Sequence, residues 1–210
     1  MSNFPELIQN LFSPNSEIRK QSESQIDLLA SNSTQQFYSG LLELMQTNPN
    51  FVQICVVLIK KYSMYLNSQD INQNFAICDS LFKIAPKVNK VTLFQIEDVL
   101  NDLLMTFFDN EKVLLILQKE REVFSSATVK DLAIYLLISS HFVNANMSEE
   151  IIEMMKKMVE TNDLELIQVV VRSIHNTNNF YKNDERIFAI MEGVIISTVK
   201  VLLSKTNDIN

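Results

Sequence analysis

Glycine and proline are scarce in this sequence of 210 residues, which contains two glycines and four prolines. β-proteins and nucleotide-binding α/β proteins use glycine for tight turns, bulges and phosphate-binding loops. Such folds are therefore disfavoured here, and no segment alternates polar and apolar residues for long enough to predict a strand. Because 47% of the residues are nonetheless hydrophobic, helices joined by short polar turns fit the composition far better.

Residues that build metal centres and nucleophilic sites are also few. Cys55 and Cys78 lie inside apolar helical patterns, which is typical of small core residues in a reducing compartment. His141 and His175 lie near predicted helix ends, where a histidine interacts with the negative end of the helix dipole. No nucleophile–base pair or zinc-ligand spacing accompanies them. We therefore predict no catalytic residue, no metal site and no cofactor, and hence a protein that is not an enzyme.

An excess of positive charge is missing too, since 18 Lys and Arg face 25 Asp and Glu. Affinity for nucleic acids comes mainly from basic side chains that neutralise phosphates, so we expect no nucleic-acid partner. The N-terminus lacks the basic and apolar regions of a secretory signal, and the longest apolar runs, residues 132–138 and 194–203, fall short of the roughly 20 residues that span a bilayer. The sequence predicts a soluble, intracellular protein with no membrane insertion.

Helical periodicity runs along almost the whole chain. Apolar residues recur at i, i+3, i+4 and i+7, as at Phe4, Leu7, Ile8 and Leu11, and this spacing puts them on one face of a helix. Polar turns, several with proline, separate the periodic segments. We predict about eleven helices, at residues 4–12, 17–30, 35–45, 51–66, 74–84, 92–108, 111–124, 128–142, 148–160, 163–174 and 184–204.

Four of these helices share one pattern, which indicates an internal repeat. Each copy begins with a β-branched residue and a long polar one, and a small or β-branched residue follows four positions later. The copies begin at Ile18, Val52, Val129 and Ile167, and the residues four positions later are Ser22, Val56, Ala133 and Val171. Their spacing leaves room for a fifth copy near residue 90, whose register the sequence does not fix.

The length of this repeat indicates the architecture. A period of about 34–40 residues with two helices per unit is typical of HEAT, armadillo-like and tetratricopeptide arrays. The tetratricopeptide signature needs tryptophan, which the chain lacks. We therefore predict an all-α fold, an α-α superhelix of about five HEAT-like hairpins that forms a single solenoid over residues 1–210.

The first two hairpins carry a more specific pattern. The stretch FPELIQNLFSP at residues 4–14 is followed by EIRKQSE at 17–23, QIDLL at 25–29, QF at 36–37, LL at 41–42 and VQICVVLIKK at 52–61. In order and spacing, residues 4–66 resemble the N-terminal region of the importin-β (karyopherin-β) family. Ser22 and Val56 stand where that family usually has alanine, and Gln53 stands where it usually has arginine. Residues 67–210 show only degenerate helical repeats.

The resemblance implies a carrier between cytoplasm and nucleus, either a receptor in its own right or the N-terminal part of a longer one. Its partners would be the small GTPase Ran, Phe-Gly nucleoporins and cargo proteins. Candidate Ran contacts are exposed polar residues on the second helices of the hairpins, namely Arg19, Glu23, Gln53 and Lys60. Candidate Phe-Gly contacts near the first helices are Phe12, Phe37 and Leu41.

Each of these residues has a simpler interpretation. The polar ones would belong to an ordinary solvated helix face, and the apolar ones, above all Phe37 and Leu41, would pack in the core. The rival function is a cytoplasmic HEAT adaptor or scaffold unrelated to nuclear transport. A third, a helical enzyme, would require polar residues that converge in a concave pocket.

The last predicted helix is apolar around most of its circumference. Its apolar residues are Ile187, Ile190, Met191, Val194, Ile195, Val199, Leu202 and Leu203. A terminal repeat ordinarily presents a polar outer face. We therefore expect either that the native chain continues beyond residue 210 or that this helix self-associates.

Overall fold

The structure is a computed structural model that describes residues 4–124, 132–142, 147–177 and 184–207. All regular elements in these ranges are helical, which confirms the predicted fold class. The α-helices are α1 (Phe4–Asn10), α2 (Ser16–Asn32), α3 (Thr34–Thr47), α4 (Val52–Tyr62), α5 (Ile71–Ile84), α6 (Lys90–Phe107), α7 (Asn110–Phe124), α8 (Leu132–Ser139), α9 (Ser148–Glu160), α10 (Leu164–Asn176) and α11 (Glu185–Asn207). Within the described ranges, no helix is both long and apolar enough to cross a membrane.

The helix ends follow local capping chemistry. Asn15, Asp70, Asn89 and Asp163 each precede a helix and accept a hydrogen bond from a backbone N–H of its first turn, which satisfies a donor that the helix itself cannot. The predicted helix at 51–66 is shorter than expected, because single 3-10 turns at Pro49–Phe51 and Ser63–Tyr65 flank α4. Of the helix predicted at 128–142, the first four residues lie outside the described ranges.

The chain divides into two compact units, Met1–Phe108 and Asp109–Asn210. In the first unit, α1 packs on α2, α3 on α4 and α5 on α6, so three hairpins follow one another. The first helices α3 and α5 contact each other, and so do the second helices α4 and α6. The first helices of the hairpins thus form one layer and the second helices form another. The core side chains between the two layers are completely buried, among them Phe37, Leu41, Ile59, Ile77, Phe82, Ile96 and Leu100.

The second unit repeats this order. Here α7 pairs with α8 and α9 with α10, while α8 also contacts α10. The last helix, α11, packs against α9 and α10, as the first helix of a further hairpin would. Together with the three hairpins of the first unit, the described residues thus hold five hairpins, the number predicted. That they form one continuous solenoid stays a prediction.

The small or β-branched position of the repeat is buried in three of the four copies. These residues are Ser22, Val56 and Ala133, whereas Ile18 at the start of the first copy is 38% exposed and Val129 at the start of the third lies outside the described residues. In α10 the predicted register is wrong by one residue, because Val171 is 50% exposed whereas Val170 is completely buried. The copy therefore begins one residue earlier than Ile167, and the run of three valines explains the error, since each fits the pattern equally well.

The copy near residue 90 is α6. When Leu93 is aligned with Val52, the buried positions of α6 from Ile96 to Leu103 match those of α4 from Cys55 to Tyr62, and Glu97 then stands at the position of Val56. The side chain of Glu97 is only 1% exposed. A buried glutamate at a position that elsewhere is small or β-branched is the reason that the sequence pattern could not fix this register.

Gly40 brings α1 close to α3. A Cβ atom at this position would lie 2.9 Å from the Phe4 ring, and that ring meets Phe37 edge-on with centroids 6.1 Å apart. Glycine inside a helix costs about 1 kcal/mol relative to alanine. The close approach of the first helix to the core offsets that cost.

Replacing Gly40 with leucine should displace Phe4 and destabilise the protein by about 1–3 kcal/mol, because the larger side chain overpacks the contact. Urea unfolding followed by circular dichroism measures the change. Gln36→Leu, at an exposed position of the same helix, is the matched control and should shift the unfolding free energy by less than about 0.5 kcal/mol. Equal effects of the two variants would contradict the packing of α1 on Gly40.

Candidate partner-binding surfaces

The second helices of the first unit are joined along their exposed side by ion pairs. The ammonium of Lys61 on α4 lies 3.4 Å from the carboxylate of Asp27 on α2, and that of Lys60 lies 3.6 Å from the carboxylate of Asp102 on α6. We use the name second-helix face for the exposed polar side chains of these helices, namely Glu23, Asp27, Gln53, Lys60, Lys61 and Asp102. Each pair is more than half exposed and contributes at most about 1 kcal/mol, so its main effect is to set the charge pattern.

Three of the four polar candidates lie on this face. Glu23 is exposed one helical turn before Asp27, and Gln53 is exposed on the same side of α4 as Lys60, since residues seven apart share a helix face. The structure therefore brings Glu23, Gln53 and Lys60 onto neighbouring helices of one layer.

The fourth polar candidate, Arg19, has a structural role. One nitrogen of its guanidinium donates hydrogen bonds to the carbonyl oxygens of Ser13, at 2.6 Å, and Pro14, at 3.1 Å. Both carbonyls belong to the turn between α1 and α2. Arg19 thus closes this turn, and its half-buried side chain is already engaged within the protein.

A groove of about 260 Å³ lies between α4 and α6, beside the Lys60–Asp102 pair. Its walls include Leu66, Val99 and Phe107, and Met64 at its edge is 76% exposed. An apolar groove bounded by one charge of each sign suits an apolar side chain of a partner, with polar neighbours on either side. The sequence pattern missed this groove because Met64 follows the end of α4 in a 3-10 turn.

Gln53 belongs to a second, more polar groove of about 790 Å³, where α3 and α5 end and α4 and α6 begin. Lys83 and Lys87 contribute the positive charges of its lining, and Lys83 is paired with Asp79 at 2.6 Å. The other polar lining residues are Gln46, Asn50, Ser80, Asn89 and Thr92. This composition favours a polar or acidic segment of a partner over an apolar one.

A cluster of three side chains fixes α2 to α4. The Tyr62 hydroxyl donates a hydrogen bond to the carboxylate of Asp27, and the ammonium of Lys61 donates to the Tyr62 oxygen at 2.8 Å. The hydrogen bond from Tyr62 lowers the pKa of Asp27, against the opposing effect of partial burial, and Lys61 lowers it further. Burial and the bond to Asp27 raise the pKa of Tyr62. The cluster therefore keeps one protonation state through the neutral pH range.

The apolar candidates fall into two groups. Phe12 is 63% exposed just beyond the end of α1, whereas Phe37 and Leu41 have no exposed surface. The Phe37 ring lies edge-on to the rings of Tyr38 and Tyr62, with both centroids at 5.2 Å. Core packing, the simpler interpretation of Phe37 and Leu41, is therefore the one that the structure has, because a partner could reach them only by opening the core.

Two residues of α3 that line the groove between the first helices α3 and α5 directly follow Phe37 and Leu41 in the sequence. Tyr38 and Leu42 of α3 border this groove of about 390 Å³, together with Asp70, Gln73 and Ala76. Among the described residues, neither the Tyr38 hydroxyl nor the Gln73 amide nitrogen meets a hydrogen-bonding partner. The i, i+4 pattern selected Phe37 and Leu41, which lie on the inward side of α3.

Both cysteines are completely buried and neither forms a disulfide, which confirms their interpretation as core residues. Burial raises the pKa of the Cys55 thiol to about 12, so this group stays uncharged and unreactive at neutral pH. The described part of the chain holds no group of three or more His, Cys, Asp or Glu placed to bind a metal ion.

In comparisons with known proteins, no family model, no curated protein and no solved structure matches this chain.

Truncating Phe37 and Phe12 separates a core role from a surface role. Phe37→Ala should lower the free energy of unfolding by about 3–5 kcal/mol, because it leaves a cavity among three aromatic rings. Phe12→Ala should lower it by less than about 0.5 kcal/mol. Urea unfolding of both variants checks this, and a small effect of Phe37→Ala would contradict its burial.

Removing the Tyr62 hydroxyl should make stability less dependent on acidic pH. The carboxyl of Asp27 has a lowered pKa in the folded protein, so its stabilising effect is present above about pH 4 and is lost as the pH falls through the folded pKa. Tyr62→Phe should therefore cost at most about 1 kcal/mol at pH 7, and this cost should shrink on acidification. Urea unfolding between about pH 7 and pH 3 measures it.

Tyr65→Phe provides the control for the hydroxyl effect. The Tyr65 ring stacks on that of Tyr62 with centroids 6.2 Å apart, and its substitution should leave the dependence on pH unchanged. A Tyr62→Phe effect of constant size across the whole pH range would contradict the link to Asp27.

Proposed function

We propose that this chain is a protein-binding helical-repeat scaffold that acts in the cytoplasm and nucleus as an importin-β-like transport receptor, or as the N-terminal part of one. The observation that carries the proposal is the second-helix face of the first unit. Ion pairs join three neighbouring second helices there, and the exposed side chains include both signs of charge. This is the layer on which the resemblance of residues 4–66 puts the contacts to Ran.

Within this proposal, Ran binds the second-helix face through Glu23, Gln53 and Lys60. Charged side chains at the rim of an interface steer association and fix its register. The adjacent groove beside Met64 accepts an apolar side chain, which supplies the buried contact that charged rims do not. Arg19 stabilises the first hairpin rather than contacting Ran.

Phe-Gly segments bind in the groove between α3 and α5. Leu42, which is half-buried, provides apolar contact for a phenylalanine. The Tyr38 side chain is only 1% exposed, so its hydroxyl and the buried Gln73 amide nitrogen donate to a peptide carbonyl only when these side chains turn outward into the groove. A short peptide that presents one aromatic side chain and a free backbone needs this combination. Cargo proteins are the third class of partner.

The placement of three candidates also favours a second function, a cytoplasmic HEAT adaptor unrelated to nuclear transport. Phe37 and Leu41 are core residues, and Arg19 is engaged within its own turn. All three have structural roles that any helical hairpin array would use. The adaptor would present the same two grooves to other protein partners.

A calorimetric titration with Ran separates these functions. We expect binding of Ran loaded with a non-hydrolysable GTP analogue and no binding of the GDP form. Lys60→Gln should weaken the GTP-form complex by about tenfold, because it removes a rim charge of the second-helix face.

Lys112→Gln is the matched control, since Lys112 is as exposed as Lys60 and also pairs with an aspartate but lies on α7. It should leave the affinity unchanged. Binding of neither nucleotide form would overturn the transport function and favour the adaptor. Equal weakening by both variants would overturn the assignment of the second-helix face.

A further inference from the structure

The last helix, α11, has two contrasting faces. Its inner face packs closely on α9, where the Ser197 hydroxyl donates to the Val159 carbonyl oxygen at 3.2 Å and a Cβ atom on Gly193 would lie 3.1 Å from the Val159 side chain. Ile187 and Ile190 are buried on this side. The position of α11 is thus fixed by tight contacts of small residues, independently of anything on its other face.

The opposite face is an exposed apolar stripe. We name it the outer stripe, and its members are between 46% and 64% exposed. They are Phe188, Met191, Ile195, Ile196, Val199 and Leu203. Single exposed apolar residues are ordinary on protein surfaces, but a contiguous row along one helix is typical of an interaction site.

The charges on and beside the outer stripe are unevenly distributed along it. Glu185 and Glu192 are exposed in the first half of α11, and Lys200 is exposed in the second half. Arg186, also in the first half, is engaged in ion pairs with Glu149 and Asp184. The charge that remains along α11 is therefore acidic towards its beginning and basic further on. Two parallel copies of such a helix would bring like charges together, whereas two antiparallel copies would bring opposite charges together.

We propose that the outer stripe docks on the outer stripe of a second copy of this chain, with the two α11 helices antiparallel about a twofold axis between Ile195 and Ile196. Phe188 and Leu203 are equally distant from that axis along the sequence, so Phe188 of one copy meets Leu203 of the other. Glu192 of each copy comes within one residue of Lys200 of the other. The apolar contacts and the charges therefore match in a single register.

The size of the outer stripe suits such a pairing. Large apolar side chains expose roughly 200 Å² when free, so six of them, each about half exposed, offer roughly 600 Å² per copy. Two copies would bury about 1,200 Å², which is the lower limit of specific protein–protein interfaces. We therefore expect a dimer that dissociates on dilution rather than an obligate one.

Sedimentation equilibrium of the full chain across a broad concentration series tests the proposal. We expect a reversible monomer–dimer equilibrium, and Ile195→Lys should raise the dissociation constant at least tenfold. Leu115→Lys is the matched control, since Leu115 is 64% exposed on α7, as Ile195 is on α11, and it should leave the equilibrium unchanged. Circular dichroism of each variant verifies that it is folded.

A charge exchange tests the antiparallel register. Glu192→Lys alone should weaken the dimer, because it faces Lys200 of the second copy, and the double variant with Lys200→Glu should restore it. A chain that is monomeric at every concentration would overturn the proposal. So would a dimer that Ile195→Lys does not weaken, or a double variant that stays as weak as the single one.

Discussion

The structure depends on one constraint, that a helical hairpin of this chain cannot bury its apolar face alone. Each helix is too narrow to cover its partner, so the side chains between two helices are enclosed only when the next hairpin packs beside them. In the first unit this enclosure is complete around Phe37, Leu41 and Ile59, whose exposed fractions are zero. The contacts of α3 with both α4 and α5 show how one helix serves two hairpins at once.

This constraint determines which residues remain for binding. An inner helix has a neighbouring helix of its own layer on each of two sides, and its hairpin partner covers a third side. The remaining side is exposed and polar. On α4 that side carries Gln53 and Lys60, and on α2 it carries Glu23. The same geometry leaves grooves between neighbouring helices of a layer, and these grooves are where exposed side chains such as Met64 adjoin buried ones. The scaffold function that we propose would use this surface contour and charge pattern, without needing a converging catalytic set.

The same constraint explains α11. It packs as the first helix of a hairpin against α9 and α10, so its inner face is satisfied by Val159 and neighbouring residues. Its outer face has the composition of a helix that is covered on that side as well. The pairing of two such faces would extend the rule that holds within each unit, that apolar stripes are buried by a neighbouring helix.

The sequence by itself determined the fold class and the positions of the helices, because apolar periodicity, capping residues and proline turns are local signals. It also determined that Cys55 and Cys78 are core positions, because they lie inside apolar helical patterns, and that Ser22, Val56 and Ala133 are, because they share one position of the repeat. Only the tertiary structure decided which side of a helix faces inward where several neighbours are apolar. In α10 this choice separates Val170 from Val171.

The candidate binding surfaces divide in the same way between what the sequence predicts and what only the tertiary structure decides. Sequence placed Glu23, Gln53 and Lys60 on second helices, but their grouping with Asp27 and Asp102 depends on contacts between helices that are far apart in the chain. Arg19 could not be assigned to the turn at Ser13 and Pro14 from spacing alone, because its role depends on the direction of one side chain. Local periodicity thus determines which helices form, whereas long-range packing decides which side chains remain available to a partner.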